Sequence, residues 1–295
     1  MSTEADLVFA QRAWLDRRER LLTVQQQKIV ARSLTRLAAE LDRVDWSSWT
    51  ASSRVKTLEL IFDVVNRMRG RQTVALRKAL ESISKRAWFD TAAYVRALDA
   101  KFGQPRGLAW ETIEHWQTRW GPYETTRLRV YRRSFRRYGA AAVADIEVAI
   151  GQRVLLGRSW HDAREEVMAI VQDKVEGRMW MVDRILRTET ASAYNTTTLQ
   201  ALYEEDEADD PMLKKLVAIF DNRTAPDSKR LHGQTRKLSE PFYDPTRGRE
   251  FRAPPNRPND REILVGWRES WGSASAFDQE TRADASEPEL EPAAA

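Results

Sequence analysis

The chain has 295 residues, of which 31% are charged, and it contains no cysteine. Its length predicts about two domains, and the lack of cysteine excludes a disulfide scaffold and any thiolate metal site. No apolar run approaches the ~18 residues of a membrane-spanning helix, and the polar, acidic first six residues are unlike a signal peptide. We therefore expect synthesis in the cytoplasm and no membrane partner.

Residues 1–150 are predicted to form a helical domain with basic and aromatic faces. Apolar residues recur there at steps of three, four or seven positions, which is the spacing of an amphipathic helix. This pattern indicates a long helix or a helical hairpin over residues 7–44. Two further helices are predicted over residues 53–70 and 72–102, with the first of them ending at Gly70.

An aromatic stripe follows this helical region. Trp110, Ile113, Trp116 and Trp120 lie three or four residues apart, and the stripe ends at Gly121-Pro122. Aromatic residues at this spacing are more often part of a core than a stacking platform for bases. We interpret the stripe as core, or as a surface that docks a partner helix.

The next helix is the most basic part of the chain. Its candidate DNA-binding residues, which largely share one helical face, are Arg129, Arg132, Arg133, Arg136 and Arg137. The simplest alternative is a solvated face whose charges pair with nearby acids, but no Asp or Glu occurs between Arg127 and Arg137. The more specific interpretation is that these arginines contact the phosphates of a nucleic acid. Because no zinc-finger, helix-turn-helix or RNA-recognition signature is present, we expect non-specific binding of double-stranded DNA.

The C-terminal half has a different pattern. After an acidic run that Pro211 closes, short apolar runs such as residues 216–220 replace the helical spacing and predict strands. We place a smaller α+β domain of helix and short antiparallel strands at residues 151–272, so the fold class is mainly α. Residues 273–295 form an acidic tail with a net charge of −5, which leaves about +9 on residues 1–272. We expect this tail to be disordered.

A series of four motifs runs through the second domain. A helix carries Arg187-Thr188-Glu189 and Asn195, and a polar turn contains Asp221-x-Arg223-Thr224. His232-Gly233 and then Pro258-Asn259-Asp260-Arg261 follow. We expect Arg187 to bind Asp221 or turn carbonyls, because its planar fork of donors matches such acceptors. Gly233 is expected to adopt a positive φ, and His232 to act as a hydrogen-bonding turn residue rather than a base or ligand.

In this order, the motifs resemble those of the Mu F-like minor head proteins of tailed bacteriophages, also called phage head morphogenesis proteins. Relatives often carry Cys or His in the polar turn and again before the final Arg, where this chain has Ala225, Ser228 and Asp260. The resemblance therefore carries over at the level of the fold and not as a thiol site. It assigns structural roles to Arg187, Glu189, Asn195, Asp221, Arg223, Thr224, His232, Gly233, Pro258, Asn259 and Arg261.

The resemblance implies a minor structural protein of a phage head, present in few copies inside the capsid near the portal. Its location would be the virion, and the host cytoplasm during assembly. The implied partners are the portal protein and packaged double-stranded DNA, with the major capsid protein or a scaffolding protein as further candidates. We predict no catalytic residue, no metal and no cofactor.

Two alternatives compete with this interpretation. The first is an enzyme, a metal-dependent nuclease or toxin-type module, that uses Asp221, His232, Asn259 and Asp260. These residues lack the paired spacing of metal ligands, and no Gly-rich Walker loop is present. The second is a host helical DNA-binding protein unrelated to phage, which leaves the motif series from residue 187 to residue 261 unexplained.

Overall fold

Helices make up most of the described residues up to Tyr203. The computed structural model describes residues 4–44, 46, 51–105, 107–155, 163–221 and 224–272. Five long helices occur within these ranges, and a short sixth helix lies among the strands. The helices are α1 Glu4–Leu41, α2 Ala51–Lys101, α3 Ile113–Leu155, α4 Ala163–Glu176, α5 Met179–Tyr203 and α6 Pro226–Leu231. None of the helices in the described ranges is long and apolar enough to cross a lipid bilayer.

The strands form two small antiparallel sheets near the C-terminus. They are β1 Leu213–Val217, β2 Thr235–Lys237, β3 Phe242–Asp244, β4 Arg249–Phe251 and β5 Ile263–Trp267. The first sheet has the order β2-β1-β5, and β3 pairs with β4 in a hairpin. In the described ranges every strand lies between residues 213 and 267, which confirms the predicted fold class of long helices followed by helix plus short antiparallel strands.

Two predicted helix ends were wrong. Helix α2 continues through Gly70, and α3 continues through Gly121 and Pro122. An interior Gly costs about 1 kcal/mol and an interior Pro about 3 kcal/mol. Buried apolar residues continue on both sides of each break, among them Met68 and Leu76 in α2, so packing outweighs the local cost.

The chain divides into two compact units, each made of segments that are distant in sequence. Unit 1 comprises residues 1–18, 80–124 and 187–295, and unit 2 comprises residues 19–79 and 125–186. Each unit contains residues from both sides of position 150. The sequential division at residues 150 and 272 therefore stays a prediction, and the acidic tail from residue 273 lies outside the described residues.

The core of unit 1 is rich in tryptophan. Trp88, Trp110, Trp116 and Trp271 are all buried. Their indole N–H groups find acceptors: Trp88 donates to the Trp110 carbonyl at 3.2 Å, Trp116 to Ser84 Oγ at 2.9 Å and Trp271 to Asp99 Oδ1 at 2.9 Å, while Trp110 donates to Glu205. A buried Trp needs such a partner for its N–H. The three tryptophans of the aromatic stripe are therefore core, whereas its Ile113 is exposed.

The core of unit 2 contains the aromatic residues of the basic helix. Tyr131, Phe135 and Tyr138 of α3 are fully buried, and the Tyr138 hydroxyl donates to the Val175 carbonyl at 3.4 Å. Burial raises the pKa of Tyr138 to about 12, so this phenol stays protonated. The buried aromatic residues of α3 thus fix which face of this helix points to solvent.

Candidate functional site

Asn195 connects α5 to the edge of the main sheet. Its side chain is fully buried, and its Nδ2 donates to the Glu262 carbonyl at 3.1 Å while its Oδ1 accepts from the Leu264 N–H at 2.8 Å. Strand β5 lies at an edge of the sheet, so its outer backbone groups need partners. The amide of Asn195 supplies both partners and fixes α5 against β5.

Arg261 makes the contact with Asp221 that was expected of Arg187. Arg261 Nη1 binds Asp221 Oδ2 at 2.6 Å, and its Nη2 binds Asp16 Oδ2 at 3.1 Å. Arg187, which was predicted to bind Asp221 or turn carbonyls, is exposed and forms no ion pair with Asp221 among the described residues, so the predicted pairing was wrong. Burial lowers the pKa of Arg261, but hydrogen bonds and charge from Asp221 and Asp16 outweigh it and raise the pKa.

The polar turn before α6 closes on itself. Thr224 Oγ1 donates to Asp221 Oδ1 at 2.9 Å, and the Thr224 N–H donates to the Asp221 carbonyl at 3.1 Å. Together with Arg261, this turn ties the end of β1 to the loop that precedes β5. Arg223, a predicted motif residue, lies outside the described residues.

A second ionic cluster holds α6 against the same loop. Arg257 binds Asp227 and donates from Nη2 to Ser228 Oγ at 2.8 Å. Arg247 Nη2 also binds Asp227, at 3.1 Å. Burial raises the pKa of Asp227, but the two arginines outweigh it and hold the pKa below its usual value. Asp260 Oδ2 accepts from the Asn256 N–H at 3.1 Å and closes the loop.

Glu262 is a buried acid beside a second buried acid. It is 2% exposed, and its neighbour Asp260 is 3% exposed. Burial, and then the negative charge of Asp260, raise the pKa of Glu262 well above its ordinary value. A buried carboxylate beside another carboxylate is unfavourable, so this environment favours the protonated form of Glu262. Both acids line a small polar pocket with Ser228, Arg257 and Arg261.

His232 acts within the backbone turn after α6. It is buried, and its Nδ1 accepts from the Ala218 N–H at 3.1 Å. Its ring meets the ring of Phe220 edge to face, with centroids 4.9 Å apart. Gly233 follows with a φ of 80°, as expected, and its N–H donates to the Leu216 carbonyl at 2.8 Å.

The remaining motif residues lie in different environments. Glu189 is buried on α5, whereas Pro258 and Asn259 are exposed. Asn259 has a φ of 64°, a left-handed conformation that Asn tolerates better than most residues. Its N–H donates to Thr188 Oγ1 at 3.4 Å, which connects the last motif of the series to the first.

The side chains of three of the four residues of the nuclease alternative have structural partners. Asp221 binds Arg261, His232 accepts from a backbone N–H, Asp260 accepts from loop N–H groups, and Asn259 is exposed. Among the residues with described positions, no three His, Asp or Glu side chains converge to hold a metal ion.

The basic face lies on α3 of unit 2. Arg129, Arg132, Arg133, Arg136 and Arg137 are all exposed, whereas the aromatic residues between them are buried. Within the part of the chain that the structure describes, none of the five forms a salt bridge with a carboxylate. Their charges therefore face solvent along about 12 Å of helix axis, since an α-helix rises 1.5 Å per residue.

Several residues of the ionic network were not predicted. Asp16 lies 245 positions before Arg261, and the sequence carries no signal that joins them. Ser228, Arg257 and Glu262 stand inside or next to the motifs, yet motif order alone assigns them no partner. Spacing within a motif identifies the residues that share a segment, but not the distant side chains that they contact.

Residues 144–262 match the family described as Phage Mu protein F like protein. This match confirms the resemblance that the motif series predicted. No curated protein and no solved structure matches the chain. The matched region begins inside α3 and ends at Glu262, just before β5. The five arginines of the basic face precede it on the same helix.

Proposed function

We propose that the chain, whose residues 144–262 match the family described as Phage Mu protein F like protein, is a head morphogenesis protein of a tailed bacteriophage. It acts inside the capsid near the portal vertex, where it contacts packaged DNA. Its role is that of a binding and assembly protein without catalysis.

The exposed, unneutralised arginines of α3 carry the DNA part of this proposal. Five guanidinium groups within nine residues form one basic face, and none of them has a carboxylate partner within the described residues. Arginine binds phosphate oxygens through two parallel hydrogen bonds. Contacts of this kind release condensed counterions from duplex DNA and do not read sequence.

The polar residues of the matched region support the non-catalytic part. A catalytic acid, base or nucleophile needs side chains that converge on one substrate atom. Here Asn195, Asp221 and Arg261 make hydrogen bonds or ion pairs that join α1, α5, the turn after β1 and β5. These contacts stabilise unit 1, so the motif residues have structural roles that require no active site.

DNA binding is tested by salt titration of the full chain with duplexes of unrelated sequence. We expect equal affinity for each duplex and a steep loss of affinity with salt. The α3 variant carries Arg132→Gln, Arg133→Gln and Arg136→Gln. The magnitude of its negative slope of log K against log salt should be smaller than that of the wild type by up to about 2.7, at about 0.9 per lost phosphate contact.

A matched control removes three exposed cations of unit 1. The control variant, Lys85→Gln, Arg230→Gln and Lys237→Gln, has the same loss of net charge. An equal fall of the slope in the control and α3 variants would show only a general charge effect. An unchanged slope in the α3 variant would contradict DNA contact by α3 and favour a protein partner for that face.

The portal location is tested in assembled particles. Chemical crosslinking of purified heads, followed by mass spectrometry, should yield crosslinks between this chain and the portal protein. Crosslinks to the major capsid protein alone would contradict a location at the portal vertex.

A further inference from the structure

The net positive charge of the chain is concentrated in unit 2. The sequence of unit 2 contains 24 Lys and Arg against 14 Asp and Glu, a net charge of +10. Unit 1 contains 24 Lys and Arg against 30 Asp and Glu, a net charge of −6. The basic face of α3 explains only part of this difference.

Two further acid-free stretches lie in unit 2. Residues 20–39 of α1 contain four Lys or Arg and no acid, and residues 64–79 of α2 contain five Lys or Arg and no acid. Pairing at three or four positions along a helix needs acids within the same stretch. These cations therefore cannot be neutralised by neighbours within their own stretch.

Part of this charge lines a groove of about 870 Å³, a volume that includes open solvent. Gln25 contributes from α1, and Arg67, Gly70, Arg71, Val74, Ala75 and Lys78 contribute from α2. The two helices are joined next to the groove, where Gln26 Nε2 donates to the Gln72 carbonyl at 3.4 Å. The groove is thus formed by helix faces that are connected to each other.

The cations of the groove are available to an anion. Arg67 binds Asp63 at 2.7 Å, but both side chains are about half exposed or more, at 47% and 61%, and exposed pairs of this kind are weak. Arg71 and Lys78 are exposed and form no salt bridge within the described part of the chain. Along the helix axis, Arg71 lies about 6 Å from Arg67 and about 10.5 Å from Lys78.

Gly70 leaves a notch in the wall of this groove. It lies inside α2 and is exposed, and a Cβ atom added to it would meet nothing within 4 Å. Packing does not require a glycine at this position, although glycine weakens a helix relative to alanine. The missing side chain instead allows another molecule to approach the backbone between Arg67 and Arg71.

We propose that the groove between α1 and α2 is a second phosphate-binding surface for duplex DNA, in addition to the basic face of α3. This inference rests on the proposed contact with packaged DNA. The three cations bind phosphates of one strand, and the notch at Gly70 accepts the sugar-phosphate backbone. Two surfaces on unit 2 would let one chain hold DNA at more than one point.

The test uses the full chain and the same salt titration. The groove variant carries Arg67→Gln, Arg71→Gln and Lys78→Gln. It should reduce the magnitude of the negative slope of log K against log salt by up to about 2.7. The control variant removes the same charge and should change the slope much less. Combining the groove and α3 variants should lower the slope by roughly the sum of the two separate decreases.

A second variant separates DNA contact from folding. Gly70→Leu fills the notch with a residue that favours helix, so the thermal unfolding midpoint should stay or rise while DNA affinity at fixed salt falls. Unchanged affinity in Gly70→Leu, or equal slopes in the groove and control variants, would overturn the inference. If the α3 variant alone changes the slope, the groove inference fails and the proposed function stands. If the wild-type chain binds no duplex, both fail.

Discussion

Replacing Asn195 by Ala should loosen the edge of the sheet at β5. The change removes both partners of the outer backbone of β5, the acceptor of the Leu264 N–H and the donor to the Glu262 carbonyl. A buried polar group without a partner costs about 1–3 kcal/mol. Two such groups give a loss of about 2–6 kcal/mol in the stability of this region.

Hydrogen exchange of the β5 amides measures this loss directly, because local opening sets the exchange rate of protected amides. The lower bound of about 2 kcal/mol corresponds to exchange about 30-fold faster. Arg187→Ala is the matched control, since Arg187 is exposed two turns away on the same helix, and its effect should stay within about 0.5 kcal/mol. Unchanged β5 exchange in Asn195→Ala would contradict the role of Asn195 at this sheet edge, and so would an equal effect in both variants.

Three other substitutions test the ionic network and the turn. Arg261→Ala should lower the free energy of unfolding of unit 1 by about 1–3 kcal/mol, because it strands two partly buried carboxylates. Arg261→Lys should lose less, and equal losses would contradict the contact of Arg261 with both carboxylates. Glu262 has a raised pKa in the folded chain, whereas in the unfolded chain it releases its proton near pH 4.3. The free energy of unfolding of the wild type should therefore fall as pH rises from about 4.3 through the folded-state pKa. Urea unfolding of Glu262→Gln should lack this decline, and parallel pH profiles would exclude the effect. His232→Ala should lower the free energy of unfolding by about 1–3 kcal/mol, because it leaves the Ala218 N–H without its acceptor. Wild-type protein incubated with Mg²⁺ or Mn²⁺ should leave DNA intact. Metal-dependent cleavage that His232→Ala abolishes would favour the nuclease alternative.

The division into long helices and late strands could be predicted from sequence because it depends on local periodicity. Helical spacing covers the first 150 residues, and short apolar runs follow Pro211, as the structure confirms within its described residues. The ends of helices were less predictable. Gly70 and Pro122 are strong local breakers, yet both lie inside helices. Their cost is a few kcal/mol at most, and buried residues on either side outweigh it.

Partners in three dimensions could not be predicted from motif order. Helical periodicity placed Arg187 and Asn195 on one side of α5, but only Asn195 is buried there. The arginine that binds Asp221 comes from the final motif, and Asp16 joins it from α1. A short sequence window contains no information about such contacts, because they depend on how distant segments pack.

The proposed function requires that this chain be present in assembled heads. DNA-filled particles from cells that express it with its capsid and portal proteins can be purified by density gradient and analysed by quantitative mass spectrometry. The proposed function predicts that the chain co-purifies with the particles in a few copies, together with the portal protein. Particles that contain the portal protein and packaged DNA but lack this chain would contradict a structural role in the head.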